Sequence, residues 1–202
     1  MALLDIFRRR PAVRDRDALA DFIDRNAAFL IQKAIYEYSR ARAGHYSKVL
    51  FKEPGFHAAV EVSRWRAYPL GLAMVAEVVY AVLCREGERP SQDDFDALTS
   101  LVLSVFDRYP VPEAIGRDDW QALRADLEQR LKQIALHPPK RAMDIPEPFA
   151  QPYFELMPIH EKLRGRDLET TRNYLKVTLC NIHDELTKAS GGLTFPALAA
   201  AS

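Results

Sequence analysis

The stretch that most constrains this chain is Tyr68 to Glu86, YPLGLAMVAEVVYAVLCRE. Between Leu70 and Cys84 only Gly71, the Tyr80 hydroxyl and Glu77 interrupt an otherwise apolar run. A helix that is apolar on every side must be buried on most of its faces, so other helices are expected to wrap around this one. At roughly fifteen residues the run is shorter than the ~20 that span a bilayer. Pro69 stands where a first-turn proline is favoured, which predicts that the central helix opens there. Gly87 is expected to close it.

The flanking sequence is helical in pattern on both sides. Arg14 to Arg42 reads as a long helix starting at Asp15 or Asp17, with Leu19, Phe22, Ile23, Leu30, Ala34 and Tyr38 at helical spacing. Gly44 is its expected stop. His57 to Ala67 reads as a second, shorter helix. Ser91 and Asp94 resemble a capping box ahead of the stripe Phe95, Leu98, Leu101, Val102, Val105 and Phe106. Tyr109-Pro110-Val111-Pro112 breaks that helix, and another starts near Asp118 with Trp120, Leu123, Leu127, Leu131 and Ile134 facing inward. A short helical turn to Leu163 is ended by Gly165. Asp167 can cap a last helix whose stripe is Leu168, Leu175, Leu179, Ile182 and Leu186, stopped by Gly191-Gly192.

Six of the 13 prolines fall between His137 and Pro158, at positions 138, 139, 146, 148, 152 and 158. Phe149, Tyr153, Phe154 and Met157 share that segment. So long an irregular stretch inside a domain needs a reason, and its aromatics predict an extended strap, 137–158, lying across the bundle. With no period-two alternation in view, the expected fold is all-α, a single-domain bundle of about six to eight helices around a buried central one. Residues 1–14 are expected to be a flexible apolar–basic tip, 15–190 the helical domain, and 191–202 a loose tail.

Composition narrows the function classes. A content of 48% hydrophobic residues excludes the disordered class. Lys plus Arg number 28 and Asp plus Glu 28, a balance that disfavours a general nucleic-acid binder. Cys84 and Cys180 lie in apolar helical patterns and read as reduced core residues, which suits the cytoplasm. The opening MALLDIFRRR does not have the order of a signal peptide. Its apolar and basic residues (1–10) could touch an anionic membrane surface, although a frayed or docked terminus is the plainer expectation.

Catalytic motifs are missing. There is no Cys-x-x-Cys, His-Glu-x-x-His, Gly-x-Ser-x-Gly or glycine-rich phosphate loop, so no catalytic residue, metal ligand or cofactor is assigned. His57 and Glu61 are four apart on one face but read as a solvated pair. Glu77 must be paired, protonated or facing a cavity, and the plain expectation is a partner Arg, Tyr or Asn on a neighbouring helix. The candidate surface is basic and aromatic. Acids vanish between Glu37 and Glu53, leaving Arg40, Arg42, His45, Tyr46, Lys48 and Lys52. A helical hairpin would bring these near Arg64, Trp65, Arg66 and Tyr68. Guanidinium groups beside aromatic rings grip carboxylates and phosphates while stacking.

The expectation is therefore a non-catalytic cytosolic binding or adaptor protein, using this surface for an acidic protein segment or another anionic partner, small ligands included. A homodimer is expected from aromatics in Tyr109–Val111 and Phe149–Phe154 that would otherwise face water. The alternative is a small-molecule binder with an internal pocket at Glu77, followed by an enzyme with a noncanonical site.

Overall fold

The computed structural model describes residues 12–84, 90–159, 167–191, 193–195 and 198. The expectations for the tip 1–10, for Gly87, and for Leu163 and Gly165 lie outside these residues. Helix α1 (Arg16–Ala43) is followed by a 3-10 turn (Gly44–Tyr46) and the short α2 (Ser47–Leu50). Then come α3 (Pro54–Leu83), α4 (Gln92–Phe106), α5 (Arg117–Ile134), α6 (Ala150–Glu155) and α7 (Leu168–Ala189). No strand occurs among the described residues, and the fold is an all-α bundle.

Helix α3 is its centre, packing against α1, α4, α5 and α7. Every residue from Ala67 to Tyr80 is buried. The helix does not open at Pro69, as the sequence suggested, but at Pro54, so the predicted helix 57–67 and the central helix are one element. An interior proline removes one hydrogen bond, here to the Trp65 carbonyl, and costs roughly 3 kcal/mol. Burial of Tyr68, Pro69 and Leu70 on either side of that gap offsets the cost. The merger also overturns the length argument. The thirty-residue α3 is long and apolar enough to cross a membrane, yet 83% of its most apolar stretch is buried within the protein.

Local signals set the other ends. The Asp15 carboxylate accepts the Ala18 amide at 2.8 Å to start α1, and Gly44, at φ 51°, ends it. Ser91 and Asp94 make the reciprocal capping box of α4, at 3.2 and 2.8 Å. Asp167 occupies the cap position of α7, but its side chain makes no capping bond. It takes Arg42 at 3.3 Å and the Tyr38 hydroxyl at 3.2 Å instead, tying the end of α1 to the start of α7.

The Pro-rich segment is not extended throughout. It turns over 142–149 and then forms α6. Phe149, Tyr153, Phe154 and Met157 are buried, and the Tyr153 hydroxyl donates to the Ile31 carbonyl at 2.9 Å. The exposure from which a homodimer was expected is thus absent there, because those aromatics enter this chain's own core. Tyr109 is half-buried as well, which leaves Val111 exposed.

Helices α1 and α3 touch at Gly71, where a Cβ would stand 2.7 Å from Ile31 Cγ1 and 3.1 Å from the Ala27 carbonyl oxygen. Gly55, in the first turn of α3, has nothing within 4 Å of the same position. Gly71→Ala should lower unfolding stability by about 1–3 kcal/mol through overpacking. Gly55→Ala should hold or raise it, since alanine is the better helix former. Urea denaturation of the two variants checks this, and equal shifts would mean that the crossing is looser than described.

Candidate functional site

A cleft of about 1000 Å³ lies between α1 and α3. One wall is α1, through Ala28, Ile31 and Gln32; the other is α3, through Ala58, Glu61, Arg64, Trp65 and Tyr68. Residues 109–114, the link between α4 and α5, close one end. Its volume is at the top of the range of small-molecule sites.

Helical spacing makes the α3 wall, because positions 58, 61, 65 and 68 recur every three or four residues and fall on one face. The Trp65 ring meets Tyr109 edge-on at 5.2 Å, Trp120 at 5.7 Å and Tyr68 at 6.1 Å between centroids. These T-shaped contacts fix the indole in place. The Arg64 guanidinium lies 4.9 Å from the Trp65 ring centre and donates to Glu61 Oε1 at 2.7 Å. The Trp65 indole N–H donates to the same oxygen at 2.6 Å.

Asp24 anchors the aromatic wall to α1. Its Oδ1 accepts the Tyr68 hydroxyl at 2.7 Å and the Tyr109 hydroxyl at 2.9 Å. Arg108 Nη1 lies 3.7 Å from the other oxygen and 2.8 Å from Asp21. Burial pushes the Tyr68 phenol far above its ordinary range, and its hydrogen bond to the Asp24 carboxylate pushes it the same way. The Tyr109 phenol is raised for the same two reasons, partly opposed by Tyr68 and Arg108. Most polar groups of the cleft are therefore engaged with one another. Apolar walls and aromatic edges are what it offers a visitor.

The basic–aromatic residues singled out in the sequence do not form one surface. Arg64 and Trp65 line the cleft. Arg66 leaves α3 on another side and pairs with Asp119 of α5 at 2.7 Å. Arg40 is 3.9 Å from Glu37, and Arg42 is held by Asp167. His45, Tyr46 and Lys48 are exposed on the α1–α3 connection, as is Lys52. Asp24 was missed, while Glu61 and Tyr109 were read as half of a solvated pair with His57 and as an exposed aromatic. Glu61 was legible from its place one turn before Trp65, whereas Asp24 meets its tyrosines only through tertiary packing.

Glu77 lies away from the cleft. Its side chain is 94% buried, since 6% remains exposed, and Oε1 accepts from Lys140 Nζ at 2.9 Å. The partner is a lysine of the Pro-rich segment, not the Arg, Tyr or Asn of a neighbouring helix that the sequence suggested. His57 is exposed, and Glu61 is already occupied by Arg64 and Trp65. Among the described residues no cluster of three metal-ligating side chains occurs. Cys84 and Cys180 are partly buried and form no disulfide.

Comparison with protein-family models, with curated proteins and with solved structures returned no match.

Two outcomes follow from these environments. A phenol held neutral in the folded state stabilises it fully below the unfolded-state tyrosine range, and that stability is lost as pH rises above about 10. Tyr68→Phe should therefore flatten part of the fall in melting temperature between about pH 9 and about pH 11; an unchanged profile would remove Tyr68 as a contributor. Glu77→Gln should cost about 1.5–3 kcal/mol, the range for a hydrogen bond to a charged group. Glu128→Gln, at an exposed pair with Lys132, should leave the denaturation midpoint where it was.

Proposed function

We propose that the protein is a non-catalytic binding protein that captures an apolar segment of another protein in the cleft between α1, α3 and residues 109–114. The observation that carries this reading is the wall of Trp65, Tyr68 and Tyr109 facing an open groove of about 1000 Å³. Rigid aromatic anchors in a largely preformed groove supply contact area at low entropic cost. Proline and valine in the closing loop add apolar surface without polar groups to desolvate.

Electrostatics refine the partner. Arg64 is the cation lining the cleft, and Glu61 and Glu113 line it too. The groove itself therefore favours an apolar segment over an acidic one. An acidic flank of the same segment is the fit for His45, Lys48 and Lys52, which stand on the connection with no carboxylate between Glu37 and Glu53. Two cysteines that form no disulfide suit a reducing compartment, and we place the protein in the cytoplasm on that ground.

The test fills the groove without touching the core. Ala58 is exposed and lines the cleft, so Ala58→Trp blocks it with no loss of buried packing. Peptides panned from a random displayed library on the immobilised protein should be rich in aromatic and aliphatic residues. They should bind Ala58→Trp at least tenfold more weakly, a difference of about 1.4 kcal/mol. Peptides that bind both proteins equally would overturn the cleft as the site. The variant's melting temperature, expected to be unchanged, excludes loss of fold as the cause.

A further inference from the structure

Eight large apolar side chains are exposed among the described residues, and four of them, Phe29, Tyr36, Tyr46 and Val49, fall between positions 29 and 49. Their exposures run from 41% to 62%, so each offers much of its surface to water. Exposed apolar groups gathered in one place call for a partner. None of the four lines the cleft.

Helical spacing puts Phe29, Lys33, Tyr36 and Arg40 on one face of α1, so rings and cations alternate along it. The Lys33 ammonium lies 5.1 Å from the centre of the Phe29 ring. The Tyr36 ring stacks on Phe51 at 5.8 Å between centroids, which joins this face to the α1–α3 connection. Phe51 in turn meets the buried Phe56 edge-on at 5.1 Å, so the patch is anchored on the core. On the connection itself Tyr46, Lys48, Val49 and Lys52 are exposed. From position 29 to 53 the chain carries five Lys and Arg against two Glu, on a protein whose formal net charge is zero. Arg42 is held by Asp167, and Glu37 lies 3.9 Å from Arg40. Lys33, Lys48 and Lys52 therefore set the sign of the surface, with Glu53 at its edge.

We propose that this patch docks the protein on an anionic phospholipid bilayer, its rings and Val49 entering the interface while Lys33, Arg40, Lys48 and Lys52 meet headgroup phosphates. The inference goes beyond the capture of a segment in the cleft, since the apolar groups it uses lie outside that cleft. Attraction to anionic headgroups and burial of apolar area add together in interfacial binding. Tyrosine rings suit the headgroup level, because each has an apolar body and a polar tip. A second copy of this chain is disfavoured as the occupant, since a two-fold contact would set the lysines of one protomer against those of its partner. Single-stranded nucleic acid would stack on the rings but has no use for Val49. A bilayer needs no fixed groove and takes all four apolar groups at once.

Co-sedimentation of the whole protein with vesicles tests this, with no peptide present, so the result stands apart from the cleft reading. The protein should pellet with phosphatidylcholine vesicles holding about 30% phosphatidylserine and stay in solution with phosphatidylcholine alone. Raising the salt from about 0.1 M to about 1 M should weaken the binding, because screening shortens the reach of the lysines. Lys48→Glu with Lys52→Glu should lower the partition coefficient at least tenfold. Tyr46→Ser with Val49→Ser keeps the charge and should lower it about tenfold, which a purely electrostatic contact would not do. All four positions are exposed, so melting temperatures should stay where they are. Equal pelleting with both kinds of vesicle, or a serine variant that binds like the wild type, would overturn the proposal. Pelleting with neither would overturn it too, and retention on oligothymidylate in that case would reassign the patch to single-stranded nucleic acid.

Discussion

The close crossing of α1 and α3 at Gly71 is the constraint on which the rest depends. A residue with no side chain lets the Ile31 side chain and the Ala27 carbonyl approach the backbone of α3 at van der Waals distance. Beside that crossing the cleft is lined by Ala28, Ile31 and Gln32 of α1 and by Ala58, Glu61 and Trp65 of α3. Three residues before Gly71 on α3, the Tyr68 hydroxyl donates to Asp24 of α1 at 2.7 Å, so the same crossing joins the two helices by a polar contact as well. The aromatic wall thus joins core and surface: Tyr68 and Trp65 come from α3, and Tyr109 of the α4–α5 link packs edge-on against both.

How much of this was legible depends on the range of the forces involved. Caps and stripes are local, so Asp15, Gly44, Ser91 and the α4 and α7 stripes could be read from spacing alone. Pro69 misled because its local preference for a first turn is real; what overrides it is burial of the surrounding apolar residues, which only the assembled fold supplies. The split between Arg64 and Arg66 was legible in principle, since residues two apart on a helix point to nearly opposite sides. The union of Asp24 with Tyr68 and Tyr109 was not, because the pairing spans 44 and 85 positions and has no periodic signature. The same holds for Glu77 and Lys140, 63 positions apart.

The two kinds of polar group in this bundle serve different ends. On the outer helices, ion pairs such as Arg124 with Asp107, at 2.7 and 2.8 Å, join neighbouring elements across exposed surface. Such pairs contribute little individually but disfavour misaligned packing. Beneath them the carboxylates of Asp24 on α1 and Glu77 on α3 bind groups from distant parts of the chain. Each acts as a register mark: only one packing of the surrounding elements satisfies it, which selects among the many ways in which apolar helices could otherwise be stacked.

The missing rung at Pro69 also lies near a change of environment within one helix. Downstream of it, residues 70–80 are enclosed by four other helices, and nearly any change there alters a packed volume. Upstream, residues such as His57, Ala58, Ala59 and Arg66 are exposed, and substitution there exchanges one solvated side chain for another. The proline interrupts the hydrogen-bonded ladder just where the first regime gives way to the second. The exposed upstream positions can thus accept changes in size and charge that the packed stem below Pro69 cannot, so one continuous helix carries two degrees of tolerance.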